Sequence, residues 1–369
     1  PLEKEKDSYE ASGKALGWKA ENGKVVVSSS NVYFELDKAT GMVTSYKVNG
    51  TEFFDKAFGV QPNFWRAPND NDYGNSNPKR LQIWKESSRD FKVSDTAVRE
   101  EGETVLMSVT YDLPAGNQYL ITYRIYRDGV VNVNVKFTQT DREAEKTEVL
   151  EDTNLATFTP GKKVKKKDVL EVPRIGVRFR IPHVMNRVEY FGRGPVENYV
   201  DRNAGSMVGR YKTSVEEMYV NYVRPQENGH RTDTRWVSFT NTAGRGLLVL
   251  AEKTIGFNAL QNTVEDFDSE ESSHPYQWRN RSSKEVAGKN EAEAKNVLRR
   301  MTHVNDITPR DFVEVCIDMK QQGVAGYDSW GAKVQPGYTI PANRDYVWGF
   351  TLIPIKNVGD VNKSLRYTY

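Results

Sequence analysis

Apolar and polar residues alternate along most of this chain, which is the period of a β-strand with one buried face. Residues 31–37 (NVYFELD) place an apolar side chain at every second position. Residues 119–139 alternate on both sides of the pair Asp128-Gly129, and such a pair between two alternating runs predicts a β-hairpin. Helix-like sequence is confined to two short segments, residues 214–220 and 290–300. The pattern therefore predicts many strands and few helices.

The predicted strands follow one another without intervening helices, so the sheets should be antiparallel and pack face to face. Further strand patterns occur at residues 174–182, 234–241, 245–253, 312–319 and 346–355. These are too many for a seven-stranded sandwich. The fold class that we predict is all-β, a single large antiparallel supersandwich. Its predicted span is residues 22–355, with residues 1–21 as a linker from a preceding domain and 356–369 as a C-terminal tail.

Charge and length limit the classes of partner. The chain has 369 residues, and 52 Lys+Arg against 50 Asp+Glu leave a net charge of +2, so no overall field attracts nucleic acid or an anionic membrane. The basic run at 161–168 is interpreted as a solvated loop, with a local anion-binding patch as the alternative. No apolar stretch is long enough to span a bilayer. We therefore expect neither a nucleic-acid nor a membrane partner.

Cysteine usage says little about where the protein resides. Cys316 is the single cysteine, so the chain has no internal disulfide and no thiolate metal site. Such a chain is compatible with the bacterial cytoplasm and the periplasm alike, and the compartment stays open. The chain starts at Pro1 without an initiator Met, and we interpret it as a piece of a longer protein.

Four stretches concentrate side chains that carry chemistry: FWRAPNDNDYGN (64–75), EYFGRGPVENYVDR (189–202), YVRPQENGHRTDTRWV (222–237) and QQGVAGYDSWG (321–331). In the first, carboxylates at 70 and 72 alternate with amides at 69 and 71, a set that can ligate a hard cation or bind sugar hydroxyls. The alternative is a turn whose Asx side chains satisfy their own backbone. In the last, Trp330 stands among glycines, so the indole is either folded onto a core or held out to meet a ligand.

Together and in this order, these stretches resemble the carboxy-terminal "small chain" domain of the large bacterial β-galactosidases of glycoside hydrolase family 2. The resemblance covers roughly residues 22–355. It implies a supersandwich related in fold to galactose mutarotase. It also implies a parent enzyme that hydrolyses terminal β-D-galactosides such as lactose, with retention.

In that family both catalytic glutamates lie on a separate (β/α)₈ barrel, and this chain lacks the strand–helix alternation that builds one. No catalytic residue is therefore assigned here, and the chain alone is expected to be inactive. The expected partners are the preceding barrel domain of the same enzyme and a β-galactoside or other sugar ligand. No cofactor is expected in this chain, whereas parent enzymes use Mg²⁺, Na⁺ or Ca²⁺, mostly through the barrel.

The resemblance also implies which residues reach the substrate. Trp330 would be a platform for the sugar in the leaving-group subsite, and its solvent-exposed placement is expected. The first stretch would lie near the active site, and the other two are interpreted as mainly structural. The candidate substrate-binding residues are Trp330, Asp328, Ser329, Arg66, Asn69, Asp70, Asn71, Asp72 and Gly74. Ala325 and Tyr327 depart from the commonest family form, which has glycine and a carboxylate or amide there.

Two other functions remain open from the sequence. A free-standing aldose 1-epimerase needs an acid and a base at the anomeric carbon, commonly Glu and His. Glu227 and His230 form such a pair, three residues apart in the sequence. A non-catalytic carbohydrate-binding module is the second alternative.

Overall fold

The computed structural model describes residues 6–139, 149–150, 163–164, 171–268, 303–328 and 331–369. The strands are β1 (Asp7–Ser8), β2 (Gly17–Glu21), β3 (Lys24–Ser28), β4 (Val32–Asp37), β5 (Val43–Val48), β6 (Thr51–Glu52), β7 (Gln61–Asn63), β8 (Lys92–Glu101), β9 (Thr104–Asp112), β10 (Gln118–Ile125), β11 (Val131–Thr138), β12 (Val149–Leu150), β13 (Lys163–Val164), β14 (Arg174–Pro182), β15 (Arg187–Gly194), β16 (Met207–Ser214), β17 (Arg231–Thr240), β18 (Gly246–Leu260), β19 (Phe312–Gln321), β20 (Tyr346–Ile355) and β21 (Tyr367–Thr368). The α-helices are short: α1 (Asp70–Gly74), α2 (Asn77–Arg80), α3 (Gln82–Ser87), α4 (Val215–Met218), α5 (Val264–Phe267) and α6 (Gly359–Ser364).

Two antiparallel sheets dominate the fold. One has five strands in the order β2-β3-β4-β5-β6. The other has twelve: nine follow the path β16-β15-β17-β18-β20-β11-β10-β9-β8, and β19, β14 and β7 branch from β18. The long strand β18 makes this branch, because residues 246–251 pair with β20 while residues 256–260 pair with β19. The predicted all-β antiparallel fold is confirmed.

The core lies between the two sheets, and alternation explains which side chains reach it. Every second residue of β10 is buried, as in β4. Phe34 of the five-stranded sheet packs on Tyr123 of the other, with ring centroids 5.4 Å apart. The hydroxyl of Tyr46 donates a hydrogen bond to the carbonyl oxygen of Gly129 at 2.6 Å, in the turn of the predicted hairpin. That hairpin is present as β10 and β11.

A second, smaller apolar cluster lies on the other face of the large sheet. Residues near the two ends of the described chain pack against it. Tyr9 and Tyr369 pack there against a cluster that includes Tyr126 and Trp236. Strand β1 pairs in parallel with β21, so the N-terminal and C-terminal segments hold each other in place. Strand β2 is the edge of the five-stranded sheet. The boundaries at residues 22 and 355 stay predictions.

The helix predicted at 214–220 is present as α4. Ser214 caps it, accepting from the backbone N–H of Glu217 while the Glu217 carboxylate accepts from that of Ser214. The helix predicted at 290–300 lies outside the described residues, and so does most of the basic run at 161–168. Across the described part of the chain, every helix is too short or too polar to cross a membrane.

Candidate functional site

Arg66 and Asp72 form a buried ion pair at the centre of the first motif stretch. Both side chains are almost fully buried, at 2% and 3% exposure. The guanidinium binds the carboxylate at two points, Nε to Oδ2 at 3.1 Å and Nη2 to Oδ1 at 2.8 Å. Asp72 also closes the first turn of α1. Its backbone N–H donates to Oδ1 of Asn69, and its carboxylate accepts from the N–H of Asn69.

Arg66 also holds the start of the last motif stretch. Its Nη1 donates to the carbonyl oxygen of Gln322 at 2.7 Å, and its Nη2 donates to that of Gly323 at 2.9 Å. Burial lowers the pKa of Arg66, but the carboxylate of Asp72 outweighs this, and the net pKa is raised. The side chain therefore stays charged and joins two loops that are distant in sequence.

Further contacts align the two loops along their length. The amide of Asn71 donates to the carbonyl oxygen of Val324 at 2.9 Å. Gly331 packs against Gly74 so closely that a Cβ atom on Gly331 would lie 2.5 Å from the Gly74 carbonyl oxygen. Gly331 also has φ +87°, which a side chain would disfavour. The structure thus brings the 64–75 and 321–331 stretches into one surface.

Asp328 and Tyr327 stand on the exposed side of this surface. The Asp328 carboxylate accepts from the backbone N–H of Ala332 at 3.2 Å. The Tyr327 hydroxyl donates to the carbonyl oxygen of Lys333 at 3.1 Å. Ser329 and Trp330 lie outside the described residues, so the expected exposure of Trp330 stays a prediction.

The 189–202 stretch supports the same loop from the other side. The Asp201 carboxylate accepts from the backbone N–H groups of Val324, at 3.0 Å, and Ala325, at 2.8 Å. Arg202 donates to the Ala325 carbonyl oxygen. Ala325 has φ +55°, the left-handed region that glycine adopts freely. This explains in physical terms why glycine suits the position where this sequence carries alanine.

All four motif stretches contribute to one open cleft of about 530 Å³. Most of its lining is polar or charged, and it comes from residues that are far apart in the chain. The lining residues are Asn69, Asp70, Asn71, Glu197, Asn198, Tyr199, Arg202, Tyr222, Val223, Arg224, Gln226, Glu227 and Val324. Of the predicted site residues described, Asn69, Asp70 and Asn71 reach the cleft, whereas the buried pair Arg66–Asp72 lies behind it.

The charged groups of the cleft are held by specific partners. Arg224 pairs with Asp70 at 3.1 Å and lies over the ring of Tyr73, with its guanidinium carbon 3.6 Å from the ring centroid. The Glu197 carboxylate accepts from the Tyr222 hydroxyl and from the backbone N–H of Gly229. Burial and the Glu197 carboxylate both raise the pKa of Tyr222, so it stays a hydrogen-bond donor.

Glu227 is a buried carboxylate facing both the cleft and the interior. Its Oε1 accepts from Arg174 Nη2 at 3.0 Å, from Asn258 Nδ2 at 2.8 Å and from Gln321 Nε2 at 3.1 Å. Arg174 is fully buried and also pairs with Asp318, Nε to Oδ2, at 3.2 Å. Burial raises the pKa of Asp318 to about 7, more than Arg174 lowers it.

The pair Glu227 and His230 does not have the geometry of an epimerase acid and base. His230 is 1% exposed and is absent from the cleft lining. Its Nδ1 lies 2.8 Å from Oδ1 of Asn258, and its ring stacks on Tyr199. Burial lowers the pKa of His230 to about 4, so the imidazole is neutral at physiological pH. Its position indicates a packing role.

Sequence reasoning missed several residues of this site. Glu197 and Tyr222 lie in the two stretches interpreted as mainly structural, yet they line the cleft, and so does Glu227, which the sequence singled out only for the epimerase alternative. Arg174 and Asp318 lie in strand-like sequence without a motif. Both stand in the polar phase of the alternation in their strands, which predicts exposure to solvent, so the sequence pattern did not mark them as buried.

Metal binding has no support in the described geometry. Among the described residues, no group of three or more His, Cys, Asp or Glu side chains is placed to hold a metal ion. The carboxylate of Asp72 is engaged by Arg66, and that of Asp70 by Arg224. The absence of a cofactor from this chain stays a prediction.

The matching family model and the similar proteins described below agree on one family. The family described as "Beta galactosidase small chain" matches residues 28–352. A β-galactosidase of Priestia megaterium is 31% identical over 333 residues, which are 90% of this chain and 26% of the relative. One of Streptococcus thermophilus is 27% identical, over 89% of this chain and 27% of the relative. The chain therefore spans about a quarter of the length of these relatives.

Solved structures with a similar chain path include mutarotase-like proteins. A galactose mutarotase related enzyme from Lactobacillus acidophilus covers 90% of this chain and 97% of its own, with TM-score 0.40 and 10% identity. A galactose mutarotase-like protein from Lactobacillus casei covers 90% and 100%, with TM-score 0.38 and 9% identity. These TM-scores are too low to support an argument, and the fold description rests on the sheet topology.

Proposed function

This chain belongs to the β-galactosidase small-chain family, and on that premise we propose that it completes the active-site mouth of a β-galactosidase of glycoside hydrolase family 2. In this proposal the substrate is a terminal β-D-galactoside of the lactose type. Both catalytic glutamates lie on a (β/α)₈ barrel elsewhere in the enzyme, which docks beside the surface formed by the 64–75 and 321–331 stretches. The chain supplies binding contacts, and the barrel supplies the chemistry.

One observation carries the proposal: the buried pair Arg66–Asp72 fixes the two loops on which the proposed substrate-binding residues lie. A binding surface made of two loops works best when the loops cannot move independently, because ordering them on binding would weaken affinity. Arg66 removes that cost before the sugar arrives. Arg66 and Asp72 are therefore positioning residues, while Asp70, Asn71, Gly74 and Asp328 lie nearer to solvent.

Trp330 has the clearest role in this proposal. One face of a pyranose is lined by C–H groups, and an indole covers such a face while neighbouring glycines allow close approach. Burying roughly 80 Å² of apolar area at about 25 cal/mol per Å² gives about 2 kcal/mol, or some 30-fold in affinity. Asp328 and Ser329 would add polar contacts to the sugar hydroxyls. Tyr327, which is exposed, replaces a carboxylate or amide and should change those contacts.

The retaining mechanism requires two carboxylates about 5 Å apart, one as acid/base and one as nucleophile. In the proposed enzyme both come from the barrel. The carboxylates described around the cleft have structural partners: Glu227 is engaged by Arg174, and Glu197 by Tyr222. We therefore assign them no catalytic step.

Trp330→Ala in the whole enzyme tests the proposal. Binding of the leaving-group sugar should weaken about tenfold or more, from the roughly 2 kcal/mol of lost stacking, and stability should change little. The matched control is Trp18→Ala, which removes a half-exposed indole from strand β2. Inhibition by free glucose and transfer to acceptor sugars measure the binding. Unchanged sugar binding with a stability loss of about 3–5 kcal/mol would instead identify Trp330 as a core anchor.

A further inference from the structure

We propose that Asp201 is a positioning residue for the 321–331 stretch. Its carboxylate shapes the turn at residues 323–326, and this turn sets where the following residues of the stretch meet a sugar. The expected effect on sugar binding rests on the proposed function, whereas the effect on the turn can be measured without it. The proposal gives a functional task to one residue of the 189–202 stretch.

The Asp201 carboxylate binds two successive backbone N–H groups. Its Oδ1 accepts from Val324 at 3.0 Å, and its Oδ2 accepts from Ala325 at 2.8 Å. Successive N–H groups in a turn form a concave site for an anion, and hydrogen bonds to an ionised acceptor are stronger than neutral ones. Each carboxylate oxygen therefore fixes the direction of one peptide group of the turn.

The backbone conformation of this turn needs such support. Ala325 has φ +55° and Gly326 has φ +84°, so two consecutive residues lie in the left-handed region. Alanine is disfavoured there because its Cβ approaches the following carbonyl oxygen. The two hydrogen bonds to Asp201 offset that cost, and we expect the turn to lose order when they are removed.

Gly323 shows how closely the carboxylate approaches the turn. A Cβ atom at Gly323 would lie 2.4 Å from Oδ2 and 2.6 Å from Cγ of Asp201, and the next nearest atom is Oδ1 of the same residue. Gly323 does not have a positive φ, so its own backbone conformation does not require glycine. The space taken by Asp201 does require it, since a side chain at 323 would displace the carboxylate.

Asp201 is itself held in a tight turn. The backbone N–H of Arg202 donates to the carbonyl oxygen of Tyr199 at 2.7 Å. Tyr199 is buried and stacks on His230, with ring centroids 5.5 Å apart. Arg202 also donates to the carbonyl oxygen of Ala325. The turn at 323–326 is therefore fixed from the protein interior before a ligand arrives, which avoids the cost of ordering it on binding.

The supported turn leads directly to the proposed sugar-binding residues. The amide of Asn71 donates to the carbonyl oxygen of Val324 at 2.9 Å, and a Cβ atom on Gly326 would lie 2.4 Å from that amide nitrogen. Asp328 follows two residues after Gly326. A displaced turn should therefore shift Asp328 and Trp330 relative to Asn71, and sugar binding should weaken.

Asp201→Asn in the whole enzyme is the first test. An amide has one acceptor oxygen, and its NH₂ group would face the second backbone N–H, so one of the two hydrogen bonds is lost. Hydrogen exchange of the peptide that contains residues 323–326, followed by mass spectrometry, should become about tenfold faster. The D-glucose concentration that half-saturates transfer from a nitrophenyl β-D-galactoside should rise about fivefold.

Asp37→Asn is the matched control. Asp37 also accepts from two successive backbone N–H groups, in the turn between β4 and β5, but through Oδ1 alone, so an asparagine can keep both bonds. This variant should leave the exchange of residues 323–326 and the half-saturating glucose concentration unchanged. A change as large as that in Asp201→Asn would overturn the proposal.

Gly323→Ala is an independent test that decides if Asp201→Asn misfolds. In the otherwise wild-type enzyme the added Cβ should displace the carboxylate and produce both defects. In the Asp201→Ala background it should add less than about twofold to either defect, because the atoms that it would meet are gone. Fully additive defects, or a harmless Gly323→Ala in the wild type, would overturn the proposal.

The two readouts separate this inference from the proposed function. Unchanged exchange in Asp201→Asn would overturn the positioning role, whatever Trp330→Ala does. Faster exchange with unchanged glucose binding in Asp201→Asn, while Trp330→Ala weakens that binding, would also overturn it and would leave the proposed function standing. Faster exchange in Asp201→Asn with no effect of Trp330→Ala on glucose binding would support the role of Asp201 in the turn and overturn the proposed function.

Discussion

Removing Arg66 should both destabilise the protein and release the two loops that it joins. Arg66→Met leaves the Asp72 carboxylate buried, with the amide of Asn77 and the backbone N–H of Asn69 as its hydrogen-bond donors among the described residues, at 2.7 and 3.2 Å. It also leaves the carbonyl oxygens of Gln322 and Gly323 without this donor. Breaking a buried ion pair from one side typically costs about 3–5 kcal/mol, and we expect a loss of unfolding free energy in that range.

The assay is urea unfolding followed by tryptophan fluorescence and circular dichroism. Arg66→Lys keeps the charge but loses the planar fork, so its loss should fall between those of the wild type and Arg66→Met. Arg66→Met combined with Asp72→Asn should cost less than the sum of the single changes by more than about 1 kcal/mol, because the two side chains interact directly. Arg99→Met is the matched control. It removes an exposed arginine paired with Glu101 and should leave stability nearly unchanged.

Two outcomes would refute this reasoning about Arg66. The first is a loss below about 1 kcal/mol in Arg66→Met, since a buried ion pair broken from one side should cost several times more. The second is full additivity of the two changes, which would mean that Arg66 and Asp72 do not stabilise each other.

The remaining predictions concern pH and one backbone position. Burial raises the pKa of Asp318 to about 7, so between about pH 4 and pH 7 the folded chain keeps a proton that the unfolded chain has released. Asp318 therefore lowers stability as the pH rises through that window, and Asp318→Asn should remove this loss in urea titrations. Burial lowers the pKa of His230 to about 4, so between about pH 4 and pH 6.5 the unfolded chain binds a proton that the folded chain does not. Stability therefore rises with pH across that window, and this rise should disappear in His230→Gln. pH profiles of stability that neither substitution changes would contradict both pKa assignments. Ala325→Gly should stabilise the folded protein by up to about 1 kcal/mol, because the φ angle of Ala325 is +55°. Ala332→Gly is the control and should destabilise the protein, because Ala332 has no positive φ. Equal effects of the two substitutions in thermal melts would contradict backbone strain at Ala325.

The strands were predictable because their cause is local. Alternation in β4, β10 and β11 follows from one buried face, and the Asp128-Gly129 turn adopts the positive φ, +88° at Gly129, that its residue types favour. The Asx-rich stretch was also partly readable. Asn69 and Asp72 do satisfy the local backbone, as the alternative to ligand binding expected.

The cleft could not be read from the sequence, because it depends on which distant segments meet. Arg174 lies on β14 and Asp318 on the neighbouring strand β19, and no local pattern pairs them. Glu227 gains its place in the cleft through contacts with β14, β18 and β19 and through the carbonyl oxygen of Ala67, which accepts from its backbone N–H. The family resemblance supplied the parent activity, whereas the pairing of loops by Arg66 came only from the structure.

The central claim is that this chain supplies binding surface to a β-galactosidase whose catalytic glutamates lie elsewhere. Hydrolysis of a chromogenic β-galactoside tests it most directly, with the pure 369-residue chain measured alone and then mixed with the barrel-bearing remainder of the enzyme. The account predicts no turnover above background by the chain alone at any pH from about 5 to 8, because no pair of carboxylates is assigned to chemistry here. It predicts that activity appears on mixing. Turnover by the chain alone would contradict it.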